Sequence, residues 1–214
     1  MVCVSVWVSK TLIGDDDEYG TAINDLDIAK DYWQTGFTYR FRVLPEDNEA
    51  NTYRAEDIVK KNELDTPKGE KLRALFLNCK TDQPCHDDRM TERDSLRTLH
   101  VFYLNIGYID SKVIGKFFLY QEHAFIIMTT KAKKSTFPHE FGHALYYTNN
   151  RLDGNDPISH KPHNEDPDNL MYSKGRDERM VLEPEQLKAK EYSYLTNDHV
   201  IHDHPRIMKN FSVD

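Results

Sequence analysis

The sequence predicts an α+β fold: a twisted mixed β-sheet with one helix near the N-terminus, one in the middle and one near the C-terminus. Three observations predict it. Apolar runs of strand character stand at residues 2–8, 37–44, 99–109 and 116–130. A stretch of helical spacing, residues 21–34, separates the first two. After the last run the hydrophobic period lengthens to that of a helix at Ser135, and again at Leu182. The 214 residues suit a single domain, 1–214, with residues 1–150 as a sheet-and-helix part and 151–214 as a lower part.

The elements follow in order. VCVSVWV (2–8) alternates apolar and polar, as a strand with one buried face does. TAINDLDIAKDYWQ (21–34) places Ile23, Leu26, Ile28, Ala29 and Trp33 on one helical stripe, which Gly36 ends. FTYRFRVL (37–44) is a second strand, stopped by Pro45. Residues 46–97 are highly charged and broken by TPKGE and TDQPCHDDRM; a short helix near 55–62 and a strand or helix near 70–78 are what can be read there. LHVFYLNIGYI (99–109) and KFFLYQEHAFIIMTT (116–130) are strand runs, the second folding back at Gln121–His123. LEPEQLKAKEYSYL (182–195) is the last helix, with Pro184 in its first turn and Leu187, Tyr192 and Leu195 as its buried side.

Composition excludes several functions. A net charge of −8 argues against nucleic acid as the main partner, which needs clustered Lys and Arg. No apolar run approaches the ~20 residues of a membrane span. The opening MVCVSVWVSK reads as a strand rather than a basic segment followed by an apolar one, so no secretory signal is expected. GDDDEYG (14–20) has the oxygen density of a calcium site without the spacing of an EF-hand loop, so a solvated turn is the simpler reading. Cys79 and Cys85 flank KTDQP; they either close a small disulfide loop in an oxidising compartment or stand as free thiols.

The chemistry concentrates in STFPHEFGHALYYTNN (135–150). Ser135 or Thr136 is placed to cap a helix, with Pro138 in its first turn and Asn149–Asn150 at its end. His139 and His143 are four residues apart, so their imidazoles stack on one helix face and reach one ion. Glu140 lies beside them, where a carboxylate can take a proton from water. That pattern, HExxH, supplies two ligands and a base. A catalytic zinc wants a third protein ligand. The compact continuation would put it at position 149, which is Asn. Downstream, RLDGNDPISHKPHNEDPDNLMYSKGRD (151–177) offers His163, then His160, then carboxylates such as Glu165 and Asp168.

HNEDPDNLMYS (163–173) resembles the third-His and Met-turn segment of metzincin zinc peptidases, in which a His precedes the Met of an L-M-Y turn by eight residues. His163 to Met171 is eight residues. The departure is the loop of twenty residues from His143 to His163, which resembles the long inserts of leishmanolysin-type members. The resemblance implies a zincin/metzincin-like fold and one zinc ion on His139, His143 and His163, with His160 as the alternative. It also implies Met171 as an apolar floor followed by Tyr172, and Glu140 as general base for hydrolysis of a protein or peptide substrate. A strand before the active-site helix would pair with substrate; HAFIIMTT, with Ala124, Phe125 and Ile126, is its candidate. The implied activity is a zinc endopeptidase, secreted or delivered as a toxin or effector, with an inhibitor or immunity partner unidentified. A zinc amidase acting on a non-protein or peptidoglycan amide, and a catalytically inert zinc-binding module, are the alternatives. The remaining histidines, His86, His100, His123 and the tail His199, His202 and His204, have no such partner; the tail trio could bind metal weakly, but ordinary surface histidines are the simpler reading for it.

Overall fold

The computed structural model describes residues 1–13, 20–44, 53–82, 95–110, 112–174, 180–204 and 207. The acidic turn considered for calcium, at 14–19, and Cys85 lie outside these residues. Five strands form one sheet: β1 (Val2–Val8), β2 (Phe37–Val43), β3 (Thr98–Tyr103), β4 (Gly115–Tyr120) and β5 (His123–Met128), in the order β2-β1-β3-β5-β4. The pairs β1–β2, β1–β3 and β3–β5 are parallel, and β4 is antiparallel to β5.

Every residue of β1, β3 and β5 is buried. A mostly parallel sheet needs cover on both faces, because its crossovers lay helices on them. Helices α1 (Gly20–Trp33) and α3 (Thr136–Tyr147) cover one face, and α2 (Glu70–Cys79) covers the other. The arrangement is a mixed α/β fold on a five-stranded mixed sheet, as the sequence predicts in outline. The polar residues Ser5 and His100 sit inside the layers at 0 % exposure.

The helices differ in detail from expectation. On α1 the buried stripe is Ala22, Asp25, Leu26, Ala29 and Trp33, whereas Ile23 is exposed and Ile28 half-buried. Residues 55–63 form two separate 3-10 turns rather than one helix, and 70–79 is helical. The strand run at 116–130 does fold back where expected, through Gln121 and Glu122 at φ 49° and 62°, the left-handed pair a two-residue hairpin requires. The last helix is short: α4 (Pro184–Leu187), then a 3-10 turn over Lys188–Tyr192, then a separate α5 (Asp198–Asp203). In the 3-10 turn the Asn149 side chain donates to the Ala189 oxygen at 2.8 Å. Gln186, Tyr194 and Leu195 carry this segment's burial, while Leu187 and Tyr192 are half-buried.

Cys79 is free and buried, so the Cys79–Cys85 closure does not form; burial pushes its thiol up to about 12. Cys3 is disulfide-bonded. Among the described residues no helix is long and apolar enough to cross a membrane.

Candidate metal centre

Helix α3 is held by its surroundings more than by a cap. Neither Ser135 nor Thr136 makes the expected side-chain cap; the Thr136 hydroxyl instead accepts from the Lys133 amide at 2.8 Å. The indole N–H of Trp33, at the end of α1, donates to the Pro138 carbonyl at 2.8 Å. Trp33 also meets Phe141 and Tyr146 edge-on, each at 6.1 Å between ring centroids. All but one of the residues of α3 are buried. The exception, Tyr147, stacks on Phe117 of β4.

Two glycines set how closely the helix docks. A methyl group added at Gly142 would meet the Met171 sulfur at 2.4 Å and the Trp33 ring at 2.7 Å. One added at Gly115, at the start of β4, would meet Thr136 at 2.5 Å and the Glu140 side chain at 3.2 Å. Met171 is fully buried directly beneath Gly142, and Tyr172 beside it is half-buried.

His139 and His143 share one face of α3, with Nε2 atoms 3.1 Å apart. His163 arrives from the loop and places its Nε2 3.2 Å from that of His143. Among the described residues these three form the one cluster of potential metal ligands, all within 4.8 Å of one another. Nitrogens that bind one ion tetrahedrally at ~2.0–2.1 Å stand about 3.3 Å apart, which the two pairs at 3.1 and 3.2 Å match. His139 Nδ1–H donates to the Leu170 carbonyl at 2.8 Å, which leaves the Nε2 lone pair free for an ion. Burial pulls the His139 pKa down to about 4 and lowers those of His143 and His163, so all three are neutral, the ligating form. Burial likewise pushes Glu140 up to about 8, against the Phe117 backbone amide, which donates to its carboxylate, and the charge of Lys116.

His160, the alternative third ligand, is exposed at φ 56° and lies outside the trio; Glu165 and Asp168 are exposed as well. The loop that separates them from His163 is built on a buried polar network that the sequence did not reveal. Asp156, fully buried, accepts from the amides of Ile158 and Ser159 at 3.0 and 2.8 Å, from the Tyr146 hydroxyl and from the Gln186 side chain. The Ser159 hydroxyl then donates to the His163 carbonyl at 2.9 Å. Asn169 accepts from the Met171 amide at 2.9 Å and is paired in both directions with Gln186. The amide of Asn164 closes the turn onto the Met171 carbonyl at 2.9 Å. In a loop this polar, Asp, Asn and Gln read as solvated; the one available signal was Asp156 before Pro157, a common turn start.

A cleft of about 840 Å³ opens above the trio, with His139, Glu140, His143 and His163 at its floor and residues 113–117 along one wall. The strand expected to pair with substrate, β5, is internal to the sheet. β5 is hydrogen-bonded to β3 on one side and β4 on the other, and Ala124, Phe125 and Ile126 are wholly buried. The edge beside the site belongs to β4. Of the tail histidines, His199 is exposed, but His204 is buried edge-on against Tyr194. His100 and His123 are buried within the sheet.

No family model matches this chain, and no curated protein does. Among solved structures it is similar to metalloproteinase-II from Bacteroides fragilis, with a TM-score of 0.48 and 13% identity over 88% of this chain and 53% of that one. The chain thus spans about half the length of that protein. A likeness at this level fixes neither activity nor substrate, and the metal centre stands on its own geometry.

Proposed function

We propose that this chain is a metzincin-like zinc endopeptidase. The observation that carries the reading is the convergence of three neutral imidazoles on one point at the floor of an open cleft, with a buried carboxylate beside them. Three nitrogen ligands with a fourth position facing solvent is the arrangement of a catalytic zinc, whereas a structural zinc is closed by four protein ligands. When bound there, zinc supplies Lewis acidity toward water and toward a peptide carbonyl.

The protein's own groups supply the rest. Glu140, one residue from His139 at the floor of the cleft, takes the proton of the attacking water and returns it to the leaving amine. The edge of β4 that no strand pairs among the described residues offers backbone groups to an extended substrate, replacing β5 in that role. Leu170 orients His139, while Met171 fills the space under Gly142 and fixes the depth of the helix. The disulfide at Cys3 favours a secreted or delivered protein, since such bonds persist in oxidising compartments.

The test is hydrolysis of a broad peptide mixture, with and without a chelator, by the protein and by Glu140→Gln. The expected result is chelator-sensitive cleavage that the variant lacks while it keeps its zinc. Undiminished cleavage by Glu140→Gln would sink the mechanism. Cleavage of peptidoglycan but of no peptide would favour the amidase, and zinc binding without any hydrolysis the inert module.

A further inference from the structure

The cleft has a charge opposite to that of the chain. The protein carries a net −8, yet Lys112, Lys131, Lys133 and Lys174 line the cleft, and Glu140 is the one carboxylate among its lining residues. The four lysines come from three separate segments: the turn before β4, the loop from β5 to α3, and the stretch after Met171. All four are exposed. Among the described residues the lysine ion pairs belong to Lys68, Lys71 and Lys161, far along the chain from these four. A fifth, Lys116, is spent elsewhere: its ammonium donates to the Val59 carbonyl at 3.0 Å. Low-dielectric walls lined by one sign of charge focus the field and draw in ligands of the other sign.

We infer that the cleft selects acidic peptides, with Asp or Glu side chains flanking the bond presented to Glu140. The inference rests on the peptidase reading for catalysis but not for binding. An extended strand on the β4 edge points alternate side chains toward the cleft rims, where these lysines stand. The ammonium groups are solvent-exposed, so the preference is modest and falls as salt screens it.

Two measurements test it. The first compares kcat/KM for peptides of matched sequence with Glu, Gln or Lys around the cleaved bond. About a tenfold preference for Glu over Lys at low ionic strength is expected, shrinking toward unity near 1 M salt. The double variant Lys131→Glu/Lys133→Glu should reverse the order, with Lys131→Gln/Lys133→Gln intermediate and thermal melts unchanged. Equal rates for all three peptides would overturn the inference and leave the peptidase standing. The second measures binding of rhodamine-labelled Glu-rich and Lys-rich peptides to the Glu140→Gln variant by fluorescence anisotropy. Selective binding of the acidic peptide supports the inference even if no peptide is ever cleaved; equal or absent binding overturns it. A single-stranded oligonucleotide that binds as tightly as the acidic peptide would also overturn it, by showing a general polyanion groove.

Discussion

Two groups of histidines lie buried in this molecule, and they differ in where their nitrogens point. His100 and His123 sit in the sheet at 0 % and 3 % exposure; His139 and His143 sit on α3 at 8 % and 9 %. Burial lowers the pKa in both groups, to about 3 for His100 and about 4 for His123 and His139. A perturbed imidazole therefore does not by itself mark a site here. His100 lies against Phe125 at 5.2 Å, and neither of its ring nitrogens has a hydrogen-bond partner among the described residues. In the trio the Nε2 atoms face one another at 3.1 and 3.2 Å, and the far side of His139 is tied to Leu170. Burial shifts the pKa, but convergence under an open cleft makes a ligand set.

The comparison can be broken most sharply by trading one member of each group. His143→Ala should lose bound zinc and reduce peptide hydrolysis to background, while His123→Phe should keep both; metal analysis and a peptide assay on the same preparations decide it. If His123→Phe lost activity as completely, the two groups would not be separate.

A smaller effect is expected from the floor of the site. Gly142→Ala drives a methyl group into Met171 and Trp33. Overpacking of this kind costs about 1–3 kcal/mol, to be read as a lower unfolding midpoint in denaturant. An unchanged midpoint would mean that Met171 does not brace the helix. Next comes the loop: Asp156→Ala removes the acceptor that orders residues 158–159, and support of this kind around a metal ligand is worth roughly tenfold in affinity. Competition with a fluorescent chelator measures it.

The sheet pair predicts the smallest effect, one of pH. His100 has its folded pKa far below the ordinary 6.5, so between about 6.5 and about 3 the unfolded chain holds a proton that the folded chain lacks. Its neutral form leaves stability intact above pH 6.5 and erodes it as pH falls. His100→Leu removes that erosion. Its stability should fall less than that of the unaltered protein, by roughly 1 kcal/mol between about pH 6.5 and 5.5. Urea titrations at the two pH values supply the comparison, and parallel losses in both proteins would refute it.

What could be read from the sequence was what is local. His139 and His143 share a helix face by spacing alone, and His163 and Met171 were placed by a resemblance that needs only a short segment. The β4–β5 turn was legible because residues 116–130 are one strand run with a polar break. The strand order was not legible, since HAFIIM looks the same at a sheet edge or in its middle, and β5 turned out to be internal. That Ser5 and His100 would be buried was not legible, because nothing nearby in the chain shows that α2 will cover that face of the sheet. The Asp156–Asn169–Gln186 network joins residues 17 and 30 positions apart in sequence, which composition cannot show. Nor was the bond legible that the Asn149 side chain, just past α3, donates to the Ala189 carbonyl in the 3-10 turn that follows α4.

The most direct test of the central claim, that His139, His143 and His163 together hold one zinc ion, is the zinc content of His163→Ala beside that of His160→Ala. Both residues lie on the same loop, and both substitutions remove one imidazole. The account predicts near-stoichiometric zinc in the protein and in His160→Ala, and little or none in His163→Ala. Full zinc in His163→Ala, or its loss from His160→Ala, would contradict it.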